Sequence, residues 1–153
     1  MEVLVFQVGG DRYGIDLRCV SEVVAAVRVT PLPGAPAVVE GVVDVRGRLA
    51  AVFDLRKRFR MAPRAPQLSE RLVLANTGER LVAFRCDDVQ GLAEVDDSVV
   101  EDARNAVPGV EHIIGVIRLE GGLVLIHDLA TFLSEAEAEA LDSAMKGEAD
   151  GIS

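Results

Sequence analysis

The side chains best suited to chemistry in this chain of 153 residues are few and scattered. His127 and Asp128 are adjacent, and together could supply half of an acid–base device, which needs a second proton-handling partner and a pocket. Asp128, however, is matched by Asp54 in a similar stretch, where the preceding residue is Phe53. A position that takes either ring reads as packing, and an Asp just before a Leu and a short helical turn reads as a cap. His112 has no His or Cys near it at metal-ligand spacing. Cys19 and Cys86 fall on the apolar side of alternating stretches and read as core filling rather than a disulfide. No serine occupies a Gly-x-Ser-x-Gly elbow, and no glycine loop opens a helix to cradle phosphate. The expectation is a protein that is not an enzyme and uses neither cofactor nor metal.

The similar stretches are the main message. Residues 41–59, GVVDVRGRLAAVFDLRKRF, and residues 115–133, GVIRLEGGLVLIHDLATFL, match at six positions without gaps: Gly41/Gly115, Val42/Val116, Gly47/Gly121, Leu49/Leu123, Asp54/Asp128 and Leu55/Leu129. Weaker partners precede them, VFQVGGDRYGIDLRCVSEVV at 5–24 and VLANTGERLVAFRCDDVQGL at 73–92. A period near 70 residues is too long for a solenoid and indicates two similar β lobes. Where the copies differ, Asp44-Val45-Arg46-Gly47-Arg48 faces Arg118-Leu119-Glu120-Gly121-Gly122. The reversed charge suggests lobes that meet different surfaces. Arg46, on the polar side beside turn residue Gly47, is a candidate for recognition; the alternative is an ordinary solvated arginine.

Glycine-punctuated β-branched runs predict hairpins at Val3–Val8 with Arg12–Leu17, at 41–46 with 48–54, and at 72–76 with 80–86. A last hairpin is predicted at 112–119 with 123–127. Leu55–Phe59 suits a helical turn, Arg60–Leu68 a linker, and Asp96–Glu111 a loop turning at Pro108-Gly109. Three prolines keep Thr30–Pro36 extended and out of a central strand. Ser134 and Glu137 form a capping box opening a helix over 134–147, with Gly147 as its stop and 148–153 as a flexible tail. The fold class is mainly all-β: two five-stranded barrels, lobe one at about 12–68 and lobe two at about 69–133, with the N-terminal strand available to complete the second. One chain of this length buries about 70% of its unfolded surface, whereas a lone lobe would be marginal.

Net charge is −9, with ten basic and seven acidic residues in 1–68 against six and eighteen in 69–153. Arg56, Lys57, Arg58, Arg60 and Arg64 crowd together, and without interleaved aromatics they make a poor nucleic-acid footprint. They read as a solvated cluster facing an acidic partner. No apolar run suffices for membrane insertion and no secretory pattern is visible, so a cytoplasmic setting is expected.

VFQVGGDRYGIDLRCVSEVV, TPLPGAP, GVVDVRGRLAAVFDLRKRF and GVIRLEGGLVLIHDL together resemble the CheW family of chemotaxis coupling proteins over residues 3–133. The resemblance implies two SH3-like barrels around a shared core, in an adaptor joining the cytoplasmic tip of methyl-accepting chemoreceptors to the regulatory domain of the histidine kinase CheA. It implies recruitment to membrane-associated receptor arrays. Receptor contacts carry over to Val20, Glu22, Arg46 and Gly47, and kinase contacts to Val29, Thr30, Gly41 and Val42. With no receiver, phosphotransfer or ATPase segment in view, a stand-alone coupler is expected. The family's common Asn is Asp44 here and its usual strand proline is Ala51, which bears on partner specificity. The alternative is a binding module of a non-flagellar pathway, or a decoy coupler that limits array growth.

Overall fold

The computed structural model describes residues 1–96 and 113–152, with side chains described as far as 147. Among the described residues, ten strands run in chain order: β1 Glu2–Val8, β2 Asp11–Asp16, β3 Val20–Ala25, β4 Val39–Val45, β5 Arg48–Phe53, β6 Arg71–Asn76, β7 Leu81–Cys86, β8 Asp88–Glu94, β9 Ile113–Leu119 and β10 Gly122–His127. Helix α1 is the short Leu55–Arg58 turn, and α2 is Glu135–Ile152. The four expected hairpins form. β3 and β8 were not marked by the sequence pattern, because each shows only alternating partial burial at a sheet edge.

The strands make two five-stranded sheets, ordered β3-β6-β7-β5-β4 and β8-β1-β2-β10-β9. This corrects the expected division at residue 68. Each sheet takes the first hairpin of one sequence repeat and the last three strands of the other. The joints are two parallel pairs, β5 with β7 and β2 with β10, and two antiparallel pairs, β3 with β6 and β1 with β8. The chain therefore crosses between sheets twice, at the 3-10 turn Leu17–Cys19 and at Asp87. Asp16 bends the first crossing by accepting the Arg18 N–H at 2.9 Å, which ends β2 before the alternation expected through Cys19.

Three apolar clusters follow from this exchange. Val43, Ala50, Val52, Leu72, Leu74 and Ala83 fill the first lobe. Val3, Val5, Val95, Val124 and Ile126 fill the second. Between them lies the largest, with Phe6, Tyr13, Phe53, Val73, Phe84, Cys86, Phe132 and Leu141. A central strand such as β1 is buried on both faces: Val3 and Val5 point into the lobe, Leu4, Phe6 and Val8 into the shared core. Its near-continuous apolar sequence is the result.

Local capping is as expected at three places. Asp54 accepts the Lys57 N–H at 3.1 Å, Asp128 the Ala130 N–H at 3.0 Å, and Ser134 with Glu137 closes the capping box at 2.8 and 3.1 Å. Helix α2, by contrast, runs through Gly147 to Ile152, so the expected stop and tail at 148 are not seen. Gly147 does not take the left-handed conformation that would end the helix; glycine permits that turn without imposing it. The loop expected at 96–111, with its Pro108-Gly109 turn, and His112 fall almost wholly outside the described residues.

Burial sets an alkaline limit. The Cys86 thiol is pushed up to about 12 from an ordinary 9.0 by burial first, then by Asp87, Asp88 and Glu70. The Tyr13 hydroxyl is pushed up to about 12 from 10.0 by burial and then by Asp11. The unfolded chain loses these protons at lower pH than the folded one, so it binds fewer protons in that window and stability falls as pH rises. Melting temperature should stay level up to about 9 and drop between about 9 and 12, and Cys86 should resist alkylation until the protein unfolds. Ready alkylation of Cys86 in the folded protein at neutral pH would contradict this.

Candidate functional site

His127 sits in the shared core at 2% exposure, edge-on to Phe59 at 5.2 Å and to Phe132 at 6.1 Å. Its counterpart Phe53 stacks flat on Phe132, centroids 4.1 Å apart. The two rings both pack against a third, Phe132. Among the described residues, no group of three or more His, Cys, Asp or Glu is placed to hold a metal ion.

The residues singled out for binding gather in two places, both on the first lobe. At the β4–β5 turn, Val45 and Arg48 close the ladder and leave Arg46 and Gly47 as the two turn residues. Both have positive φ, 52° and 84°, as a two-residue primed turn demands. Asp44 holds the turn by accepting the Gly47 N–H at 2.8 Å. This is a local role for the departure from Asn, since either side chain offers that oxygen. The left-handed conformation of a non-glycine residue is itself unfavourable, by roughly 1–2 kcal/mol. Here it thrusts Arg46 outward, 71% exposed, and pairs its guanidinium with Glu22 of β3. Three of the receptor candidates are thus in one polar patch, and half-buried Val20 begins the same strand as Glu22.

The second place is a clasp. Thr30 donates to the Val42 carbonyl at 2.9 Å and accepts from its N–H at 2.8 Å, the one isolated bridge between the proline-rich segment and β4. Gly41 makes the clasp fit: a Cβ there would lie 2.2 Å from the Thr30 carbonyl oxygen and 2.9 Å from Val29 Cγ1. Val29, Thr30, Gly41 and Val42 are therefore together, but not all available. Gly41 and Val42 are buried and shape the surface, while Thr30 and half-buried Val29 present it.

Three arginines of the basic run are paired rather than left to solvent as the sequence suggested, while Lys57 and Arg60 stay exposed. Arg56 reaches Asp87 at 3.3 Å, Arg58 reaches Glu137 at 2.6 Å, and Arg64 reaches Asp87 at 2.7 Å and Glu70 at 3.3 Å. Arg58 also lies 5.2 Å over the Phe132 ring. Arg85 answers in the opposite sense, pairing with Glu40 of the first half. Arg56, Arg58 and Arg64 thus find their acidic partners in the acidic half of the same chain. Asp87 is the hub, since it also accepts the Gly9 N–H at 2.9 Å at the crossing between sheets. Composition showed the charges; only the exchanged topology could have shown that they meet. Glu40, Arg56, Arg64, Glu70, Arg85 and Asp87 line a cavity of about 300 Å3 together with Met61 and Pro63, and these charged side chains are largely engaged with one another.

Burial raises the Glu137 carboxyl, but the Ser134 N–H and the Arg58 guanidinium outweigh it and hold the group below its ordinary value. Its contribution to stability is present above the ordinary carboxylate range and is lost as pH falls below it.

Residues 2–137 match the model of the CheW-like domain. The chain belongs to the CheW-like family. It is 27% identical over 146 residues to the chemotaxis protein CheW of Treponema pallidum, covering 92% of this chain and 86% of that protein. It is also 30% identical over 132 residues to the chemotaxis protein CheA of Halobacterium salinarum, 86% of this chain but 19% of that much longer protein. The crystal structure of the scaffolding protein TtCheW from Thermoanaerobacter tengcongensis superposes with a TM-score of 0.78 at 23% identity, over 89% of this chain and 94% of that one, and shows the shared fold. No helix among the described residues is long and apolar enough to cross a membrane.

Proposed function

We propose that this chain is a non-catalytic chemotaxis adaptor that couples a chemoreceptor tip to the kinase CheA. The reading rests on the family match over residues 2–137. The likeness to a CheA segment supports it, because a domain that pairs with its own structural relative can use matching edges. In this reading the Arg46–Glu22 patch with Gly47 and Val20 meets the receptor, and the Val29–Thr30 clasp over Gly41 and Val42 meets the kinase. The two surfaces share the small first lobe, so a bound kinase and a bound receptor would be held close without any chemistry by the adaptor. Recruitment to receptor arrays would follow from the receptor contact.

A pull-down with receptor tip fragments and CheA tests the coupling directly, and capture of neither partner would end the proposal. Arg46→Glu is expected to weaken receptor binding by more than about 1 kcal/mol, as buried interface arginines do. Its melting temperature should barely change, because an exposed ion pair such as Arg46–Glu22 contributes only about 0–1 kcal/mol. Undiminished receptor affinity in the folded variant would return Arg46 to the status of a surface residue.

A further inference from the structure

Neither lobe belongs to one sequence repeat, and that has a consequence for self-association. Residues 1–58 supply β1 to β5 and residues 71–152 supply β6 to β10 with α2; each sheet needs strands from both units. The covalent link between them is residues 59–70, of which 62–69 are all exposed and lie outside every strand and helix. We propose that this chain exchanges units with a second copy of itself, forming a dimer in which residues 1–58 of each copy complete residues 71–152 of the other.

Nothing in the packing distinguishes the two arrangements. The parallel joints β5–β7 and β2–β10, the stack of Phe53 on Phe132, and the ion pairs Arg56–Asp87, Arg58–Glu137 and Glu40–Arg85 all run from one unit to the other. Each can form equally well between copies. What favours the closed monomer is the tether, since a short flexible link gives its ends an effective concentration in the mM range. Arg64 strengthens this by clipping the tether to Asp87 of the second unit. A tether too short to span the units removes the advantage, and exchange between copies becomes the way to complete both sheets. The exchanged dimer carries two full sets of the Arg46–Glu22 and Val29–Val42 surfaces and is therefore a bivalent form. The exchange is independent of which partners those surfaces take.

The Arg58–Glu137 pair allows a decisive test, because its side chains are 19% and 25% exposed. Arg58→Glu sets two carboxylates together in the closed monomer, and Glu137→Arg sets two guanidiniums together. In an exchanged heterodimer of the two variants, both opposite-charge pairs are restored. Equimolar chains unfolded together in urea and refolded should move by light scattering from the 16.3 kDa of one chain to twice that, and melt above either variant refolded alone. The chain with both changes should stay monomeric and recover stability. Independently, deleting residues 62–69 removes the Arg64 clip but no part of any strand or helix, and should convert the protein to the dimer. A mixture that stays monomeric and melts as two superimposed parents overturns the proposal, and so does a folded monomer lacking 62–69.

Discussion

Phe132→Ala is expected to destabilise the protein by about 3–5 kcal/mol, the range for removing a large aromatic from a packed core. Phe132 is fully buried, stacked on Phe53 at 4.1 Å and 5° between planes, covered by Arg58 and flanked by His127. Total stability is typically about 5–15 kcal/mol, so this one change removes a large share of it. Because the stack joins the two sequence repeats, the loss should appear in both lobes together. Unfolding followed by far-UV dichroism and by the single tyrosine should stay coincident in the variant and in the natural protein. Two separate transitions, with only one moved by the substitution, would mean that the lobes are independent despite their exchanged strands. A double-mutant cycle with Phe53→Ala should show a coupling of about 0.5–1.5 kcal/mol for the aromatic pair.

Gly41→Asp should have a comparable effect by a different route. The added Cβ would stand 2.2 Å from a backbone oxygen and 2.8 Å from the Thr30 carbonyl carbon, which cannot step aside like the end of a flexible side chain. The clasp must open, forfeiting both Thr30–Val42 hydrogen bonds, and a carboxylate must be accommodated where the glycine is buried. Overpacking of this kind costs about 1–3 kcal/mol, and each lost backbone hydrogen bond about 1 kcal/mol more. Gly41→Ala isolates the steric part and should already open the clasp. If the clasp is the kinase surface, CheA capture should fall in both variants while binding through the Arg46 turn persists. Loss of both partners in Gly41→Ala would assign the residue to folding in general, and full CheA capture in Gly41→Asp would remove the clasp from the kinase surface.

Much of this protein is written in short stretches of its chain. The four hairpins, the caps Asp54 and Asp128, the Ser134–Glu137 box and the sharp turn at Arg46-Gly47 each depend on backbone sterics, side-chain period and hydrogen bonds spanning a few residues. The duplication, and with it a fold of ten strands in two similar sheets, followed from the same local patterns occurring twice. The family motifs pointed to the candidate residues, and the closing of the first lobe then brought Glu22 to Arg46 and Thr30 to Val42.

What the chain could not declare locally is which copy of a pattern completes which sheet. The two repeats share hydrophobic periodicity, so β2 could be satisfied by strands of either; the choice of β10, more than a hundred residues away, is decided by how both units close over one shared core. Everything that hangs on that choice was hidden with it. Arg56, Arg58 and Arg64 looked solvated because two of their acids, Asp87 and Glu137, are distant in sequence and adjacent only after the exchange. Gly41 looked like a strand opener until the proline-rich segment was laid against it. At Gly147 the local stop signal was optional, and α2 simply continued. Short-range sterics set the elements; long-range packing, which no window of sequence contains, set their partners.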